Sequence, residues 1–309
     1  MILRPAVDPE LGLAPANLPV GASRFELDGV RGRFRAHVFR SQNATENADL
    51  LVVLPGAGRN ADDYRNVWLE TAMRRDLVVL ALEFSERSYP LAAYNLAGTV
   101  RNLQYSKPEF ERINKRSRVV RLNDDPFTAE AQTDQTQWLF TDIEQAIEHV
   151  CGVLGLNQAR FDVFGHSAGA QVAHRMVLFR PGLAINKVVA ANAGWYTFPE
   201  TAVDLPLGIA NSELATERLD QALTIDLVVL LGEKDNSDGA GGTLLRSSQL
   251  DALQGSHRFE RGRRFFAAAQ RAAIARDMKL NWSLQTVPNV GHDFRRMSAA
   301  AAEVLYPEQ

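Results

Sequence analysis

Cysteine is almost missing: the 309 residues contain one, Cys151, which excludes an intrachain disulfide. No Cys/His group has the spacing of a structural zinc site, and no stretch approaches 18 uninterrupted apolar residues, so neither a metal-stapled fold nor a membrane-spanning helix is expected. Positive charge is not in surplus either. Thirty-four Lys and Arg face 37 Asp and Glu, a net charge of -3, so there is no overall cationic field to hold a phosphate backbone, and nucleic acid is not an expected partner. Internal repeats and low-complexity blocks are absent. The first 22 residues break every apolar run with Pro, Asp or Glu and have no long apolar core of a secretory signal. They predict an extended arm over 1–22 and a cytoplasmic location, a secreted or periplasmic one requiring a preceding leader.

What is present is a composition close to that of ordinary folded chains, 46% hydrophobic and 23% charged, distributed in a regular pattern. Phe25 to Asp28, the turn Gly29 to Gly32 and the alternating Arg33 to Arg40 predict an N-terminal antiparallel hairpin. Then come short apolar runs: Leu50 to Leu54, Leu77 to Leu82, Arg160 to Phe164, Lys187 to Ala191 and Asp226 to Leu231. Runs of this kind suit strands buried on both faces. Helical patterns separate them at Ala61 to Met73, Thr136 to Leu154, Ala168 to Phe179 and Arg261 to Met278, and a last strand and helix follow at Trp282 to Val287 and Ser298 to Leu305. Strand alternating with helix predicts an α/β fold, a mainly parallel central sheet with helices on both faces. One sheet running through both halves predicts a single catalytic domain over 23–309, its surplus length in long loops at about 83–135 and 232–260 that wall or cover a site.

The chemistry concentrates at Gly165-His166-Ser167-Ala168-Gly169, which follows a strand pattern and precedes a helical one. A residue presented on so sharp a strand-to-helix turn needs small neighbours two positions either side, and both are glycine. Ser167 is therefore the candidate nucleophile. A serine hydroxyl needs a base and a group to orient that base. Gly232-Glu233-Lys234-Asp235 lies just beyond a buried strand, at the edge where open α/β sheets collect ligand-facing groups, making Asp235 the candidate acid ahead of Glu233 and Asp238. His292, in the turn after the last strand, is the candidate base. His37 falls in the hairpin, His149 and His174 on helices, His257 before a helix, and His166 beside the nucleophile in a packing or hydrogen-bonding role. Backbone N–H groups of Ala168 and of the small-residue loop Pro55 to Asn60, first Ala57 and then Gly58, are the candidate oxyanion donors. That loop lacks the G-K-[ST] ending of a phosphate loop.

GHSAG, GEKD and NVGHDF in this order resemble the α/β-hydrolase superfamily across about Leu50 to Leu305. The segment LVVLPGAGRNADDY with a late GHSAG resembles, more narrowly, the poly(3-hydroxybutyrate) depolymerase-like esterases, LpqC-type proteins among them. Pro55 stands where many relatives have histidine. The resemblance implies a serine hydrolase without cofactor or metal, cleaving a carboxylic ester through an acyl-enzyme, with a small-molecule or hydroxyalkanoate-oligomer ester as its partner. A serine peptidase of the same fold and a noncatalytic binding protein on the same scaffold are the competing readings. Trp195 and Tyr196, near the same sheet edge, and Tyr89, with Tyr94 and Phe84, in the first long connection are candidate substrate contacts. The Arg-rich segments 112–121 and 258–271 are expected to be solvated faces.

Overall fold

The apolar runs pair into one eight-stranded sheet in a computed structural model that describes residues 17–123, 127–157 and 160–308. In chain order the first elements are β1 (Gly21–Gly29), β2 (Gly32–Arg40), β3 (Leu50–Leu54), α1 (Ala61–Val67), α2 (Leu69–Arg75) and β4 (Val78–Glu83). Four short strands follow, β5 (Val100–Gln104), β6 (Glu109–Arg112), β7 (Ser117–Arg121) and β8 (Thr128–Ala131), then α3 (Leu139–Leu154), β9 (Phe161–His166), α4 (Ala168–Phe179) and β10 (Ile185–Ala191). The last third holds α5 (Glu213–Glu217), α6 (Leu219–Thr224), β11 (Asp226–Gly232), β12 (Gly242–Arg246), α7 (Ser248–Gln254), α8 (Arg258–Ile274), β13 (Trp282–Val287) and α9 (Phe294–Leu305).

The sheet order is β1-β2-β4-β3-β9-β10-β11-β13. The β1–β2 hairpin is antiparallel and β2 joins β4 antiparallel, while every pairing from β4 to β13 is parallel. This is the α/β-hydrolase arrangement expected from the sequence. Side-chain alternation divides the core between the two faces. Leu50, Val52 and Leu54 of β3 pack with α3, α4 and α8, and Leu51 and Val53 pack with α1, α2 and α9. Both faces are covered, which is why these strands read as continuous apolar runs. No helix among the described residues is long and apolar enough to cross a membrane.

Several expectations need correction. Residues 1–16 of the expected arm lie outside the described residues; of its remainder, Leu18 is buried and β1 already begins at Gly21. The helix expected over 61–73 is two helices meeting at Trp68, whose side chain is buried. Both long connections contain short strands rather than loop alone. β5 pairs antiparallel with β8, and β6, β7 and β12 form a three-stranded sheet in which β7 of the first connection runs parallel to β12 of the second. Segments such as EFER and SRVVR are too short and too charged to signal strands; they pair with each other as a hairpin, and β7 gains its second neighbour, β12, from far along the chain. α5 and α6 were likewise unassigned.

Candidate active site

Ser167 sits between the end of β9 and the start of α4 with φ 56° and ψ -113°, a left-handed backbone in a non-glycine residue. Its N–H donates to the Ala191 carbonyl of β10 at 2.9 Å, which pins the turn to the sheet. The flanking glycines are sterically required. A Cβ on Gly165 would collide with the Gly169 carbonyl, and one on Gly169 with the Leu54 carbonyl at the end of β3. The turn exists because α4 leaves the sheet in close contact with β3.

Asp235 and His292 arrive on the turns after β11 and β13, and backbone bonds tie those turns together. Lys234 N–H donates to the Val290 carbonyl at 2.8 Å; the Asn192 side chain accepts from Gly232 N–H at 2.8 Å and donates to the Gly291 carbonyl at 3.1 Å. The result is a continuous chain of side chains. Asp235 Oδ2 lies 2.7 Å from His292 Nδ1, and His292 Nε2 lies 2.9 Å from Ser167 Oγ. Asp235 is fully buried. Burial opposes its charge, but the adjacent Arg258 guanidinium and His292 together hold its carboxyl well below the usual carboxylate range. Because an ionised carboxylate only accepts, His292 Nδ1 carries the proton and Nε2 is left to accept from the serine hydroxyl. Burial and the nearby Arg258 cation lower the His292 pKa, against the pull of Asp235, so the imidazole is neutral at neutral pH. The rival acids are elsewhere: Glu233 accepts from Thr286 Oγ1 and Asp238 pairs with Arg246.

Several further residues complete the site without a local sequence pattern that marks them. Arg258, assigned to a solvated face, is 1% exposed; it donates to Asp235 Oδ1 at 2.9 Å and to the Thr243 carbonyl of β12 at 2.8 Å. Arg261 is buried as well. A start signal was there to be used: His257 Nδ1 accepts from Glu260 N–H, and the Glu260 carboxylate accepts from Ser256 N–H. This pair of capping bonds starts α8 at Arg258, three residues before the expected start. Gly241 and Gly242, at φ 120° and 67°, press on the imidazole, since a Cβ on Gly242 would sit 2.5 Å from His292 Cδ2. The His166 ring lies tilted against His292, centroids 4.7 Å apart, and shares a 2.9 Å hydrogen bond with the Tyr64 hydroxyl. Burial drives its pKa far down, with His292 adding to the effect, so no second cation competes there.

The Pro55 to Asn60 segment is held from beneath. Tyr94 Oη donates to the Pro55 carbonyl at 2.7 Å, and a Cβ on Gly56 would come within 3.4 Å of Ser167 Cβ. Ala57, Gly58, Ala168, Ser167 and Trp195 line one cavity of about 490 Å³. Val120 of β7 and Leu245 of β12 close it, so both long connections contribute wall. Three expected contacts are corrected. Tyr89 is fully buried, its hydroxyl donating to Gly32 O and Asp142 Oδ2; Phe84 packs on Phe34; and Tyr196 is stacked on Phe265 in the core. Tyr94 is also buried, as the prop of the loop. In each case an aromatic ring near the sheet edge packs on core neighbours instead of lining the cavity.

No family model matches the chain, and no curated protein matches it. Among solved structures it is similar to poly(aspartic acid) hydrolase-1 from Sphingomonas sp. KT-1, with 29% identity and a TM-score of 0.80 over 94% of this chain and 100% of that one. It is also similar to LpqC, a poly(3-hydroxybutyrate) depolymerase from Bordetella parapertussis, with 26% identity and a TM-score of 0.78 over 93% and 91%. The siderophore hydrolase EstA from Aspergillus nidulans shares the fold at 14% identity and a TM-score of 0.55, over 93% and 94%.

Proposed function

We propose that this chain, of α/β-hydrolase fold and similar to LpqC-type esterases, is a serine hydrolase that cleaves carboxylic esters through an acyl-enzyme. The observation that carries the reading is the Ser167–His292–Asp235 hydrogen-bonded chain on a strained strand-to-helix turn. His292 Nε2 takes the Ser167 proton as Oγ attacks the carbonyl carbon, and Asp235 stabilises the imidazolium that results. The tetrahedral oxyanion receives backbone N–H groups of Ala168 and Ala57, with Gly58 next in line. On collapse His292 gives the proton to the departing alkoxide; it then activates water to release the acid and restore Ser167. Hydroxyalkanoate oligomers are the proposed substrates, supported by the similarity to a poly(3-hydroxybutyrate) depolymerase. The domain covers 23–309.

A second reading, amide cleavage, is favoured by the similarity to a hydrolase of poly(aspartic acid), a polymer of an amino acid. Matched ester and amide substrates discriminate, and faster amide turnover overturns the ester assignment. Ser167→Ala is expected to lower kcat by roughly 10⁶ if the three residues act as a unit. A fluorophosphonate is expected to modify Ser167 alone. A folded protein that fails to label at Ser167 is a binding protein on a hydrolase scaffold.

A further inference from the structure

Two guanidinium groups lie buried beside the cavity without an ion pair among the described residues, Arg59 feeling the Glu86 carboxylate only at longer range. Arg175 of α4 is fully buried: Nε donates to Thr197 Oγ1, Nη1 donates to the carbonyls of Asn95 and Gln171, and Nη2 has no partner. It stands 4.6 Å over the Trp195 ring, and Trp195, Asn95 and Gln171 all line the cavity. Arg59 lines the cavity directly and is 9% exposed. Its guanidinium lies 3.5 Å over the Tyr94 ring, Nη2 makes a 3.3 Å bond to the Tyr89 carbonyl, and both Nε and Nη1 are without partners. Burial lowers the pKa of both, that of Arg175 to about 9. A third arginine, Arg118 of β7, lines the same cavity from its exposed rim and has no ion pair among the described residues. Glu86, exposed and unpaired among the described residues, is the acid on the lining.

Holding unneutralised charge out of water is costly, and orphaned N–H groups add to the cost. An anion entering the cavity offsets the buried charge. We infer that the cavity binds a free carboxylate on the substrate, with Arg59 as the contact residue, Arg118 closing from the rim and Arg175 supplying charge from behind Trp195. The inference rests on the hydrolase reading of Ser167 and narrows its substrates to esters that also carry a carboxylate, such as the acid-terminated end of a hydroxyacid oligomer. Leu91, Val120 and Leu122 take the intervening hydrocarbon. A planar guanidinium binds phosphate as well as carboxylate, and the apolar share of the lining favours the singly charged carboxylate.

Calorimetry on the Ser167→Ala protein tests this without turnover. Monomethyl succinate, glutarate and adipate are each compared with the dimethyl ester and with inorganic phosphate. The best monoester is expected to bind about 10–100-fold more tightly than its diester, the range of a charge-assisted hydrogen bond. Arg59→Met in the same background is expected to remove the difference and Arg59→Lys to keep part of it, while Glu86→Gln at an exposed position widens it. Equal binding of monoester and diester, tighter capture of phosphate, a difference that survives in folded Arg59→Met, or no widening in Glu86→Gln overturns the inference. Turnover by the unsubstituted protein reads the other proposal separately. Intact monoester binding with no hydrolysis of any ester sinks the hydrolase reading and leaves the carboxylate site standing.

Discussion

Burial is the main influence that keeps the proposed base neutral, and Arg258 adds to it. Its guanidinium holds the outer oxygen of Asp235 while its charge disfavours protonation of His292, so the imidazole stays neutral to a lower pH than a free histidine. The acid limb of kcat/KM is therefore expected below the usual histidine value of about 6.5. Arg258→Met removes the opposing cation and lifts the His292 pKa, so the acid limb should move to higher pH and the loss of activity at pH 6 should exceed that at pH 8. Arg258→Lys should move it less. A pH profile of unaltered shape, whatever the rate, contradicts this role. Asp235→Asn is expected to cost roughly 10⁴ in kcat by leaving the wrong tautomer of His292. At this scale the sequence was informative where chain position constrains chemistry. Ser167, Asp235 and His292 each follow a strand in a fixed order, whereas Arg258 meets Asp235 only because α8 packs across the end of β11. Tyr89 and Tyr196 misled for the converse reason: an aromatic beside a sheet edge can point either way, and their neighbours pointed them inward.

Among elements, the small β6-β7-β12 sheet couples the two connections to the site. Gly242 opens β12, takes φ 67° and lies against the His292 ring. Gly242→Ala is expected to shift the imidazole from Ser167 Oγ and lower kcat by about 10²-fold, as misplacements near 1 Å do. Its cost in stability should be only about 1–2 kcal/mol, the price of a left-handed alanine. Gly169→Ala drives a methyl into the backbone of β3 and should act the other way, destabilising by about 3 kcal/mol or more. Urea denaturation alongside kcat separates the two, and equal behaviour would refute the assignment of Gly242 to the site and Gly169 to the scaffold. The apolar strands and long amphipathic helices were readable because periodicity and burial coincide in them. β5 to β8 and β12 were not, since runs of four or five residues are too short to establish a period, and β7 and β12 find each other only across the whole middle of the chain.

For the molecule as a whole, three histidines titrate against burial. His166, His174 and His292 have pKa values lowered by desolvation, so they are unprotonated in the folded chain at pH values where the unfolded chain binds protons. Below about 6.5 the unfolded state then binds more protons than the native one, and stability should fall with falling pH, by up to about 1.4 kcal/mol per pH unit for each histidine. Urea midpoints between pH 7.5 and 5.5 measure the slope, and His174→Asn should reduce it. A flat profile would mean that these rings are protonated in the fold.

The sequence by itself determined the class of fold, the run of parallel strands and the placement of Ser167, Asp235 and His292 each just after a strand, because burial on both faces of a sheet and the geometry of a strand-to-helix turn are imposed by neighbouring residues. Only the tertiary structure decided which charges are buried, which aromatics face the cavity and how the two long connections close over it. Those properties come from contacts between segments tens to more than a hundred residues apart, and no local pattern of residues records them.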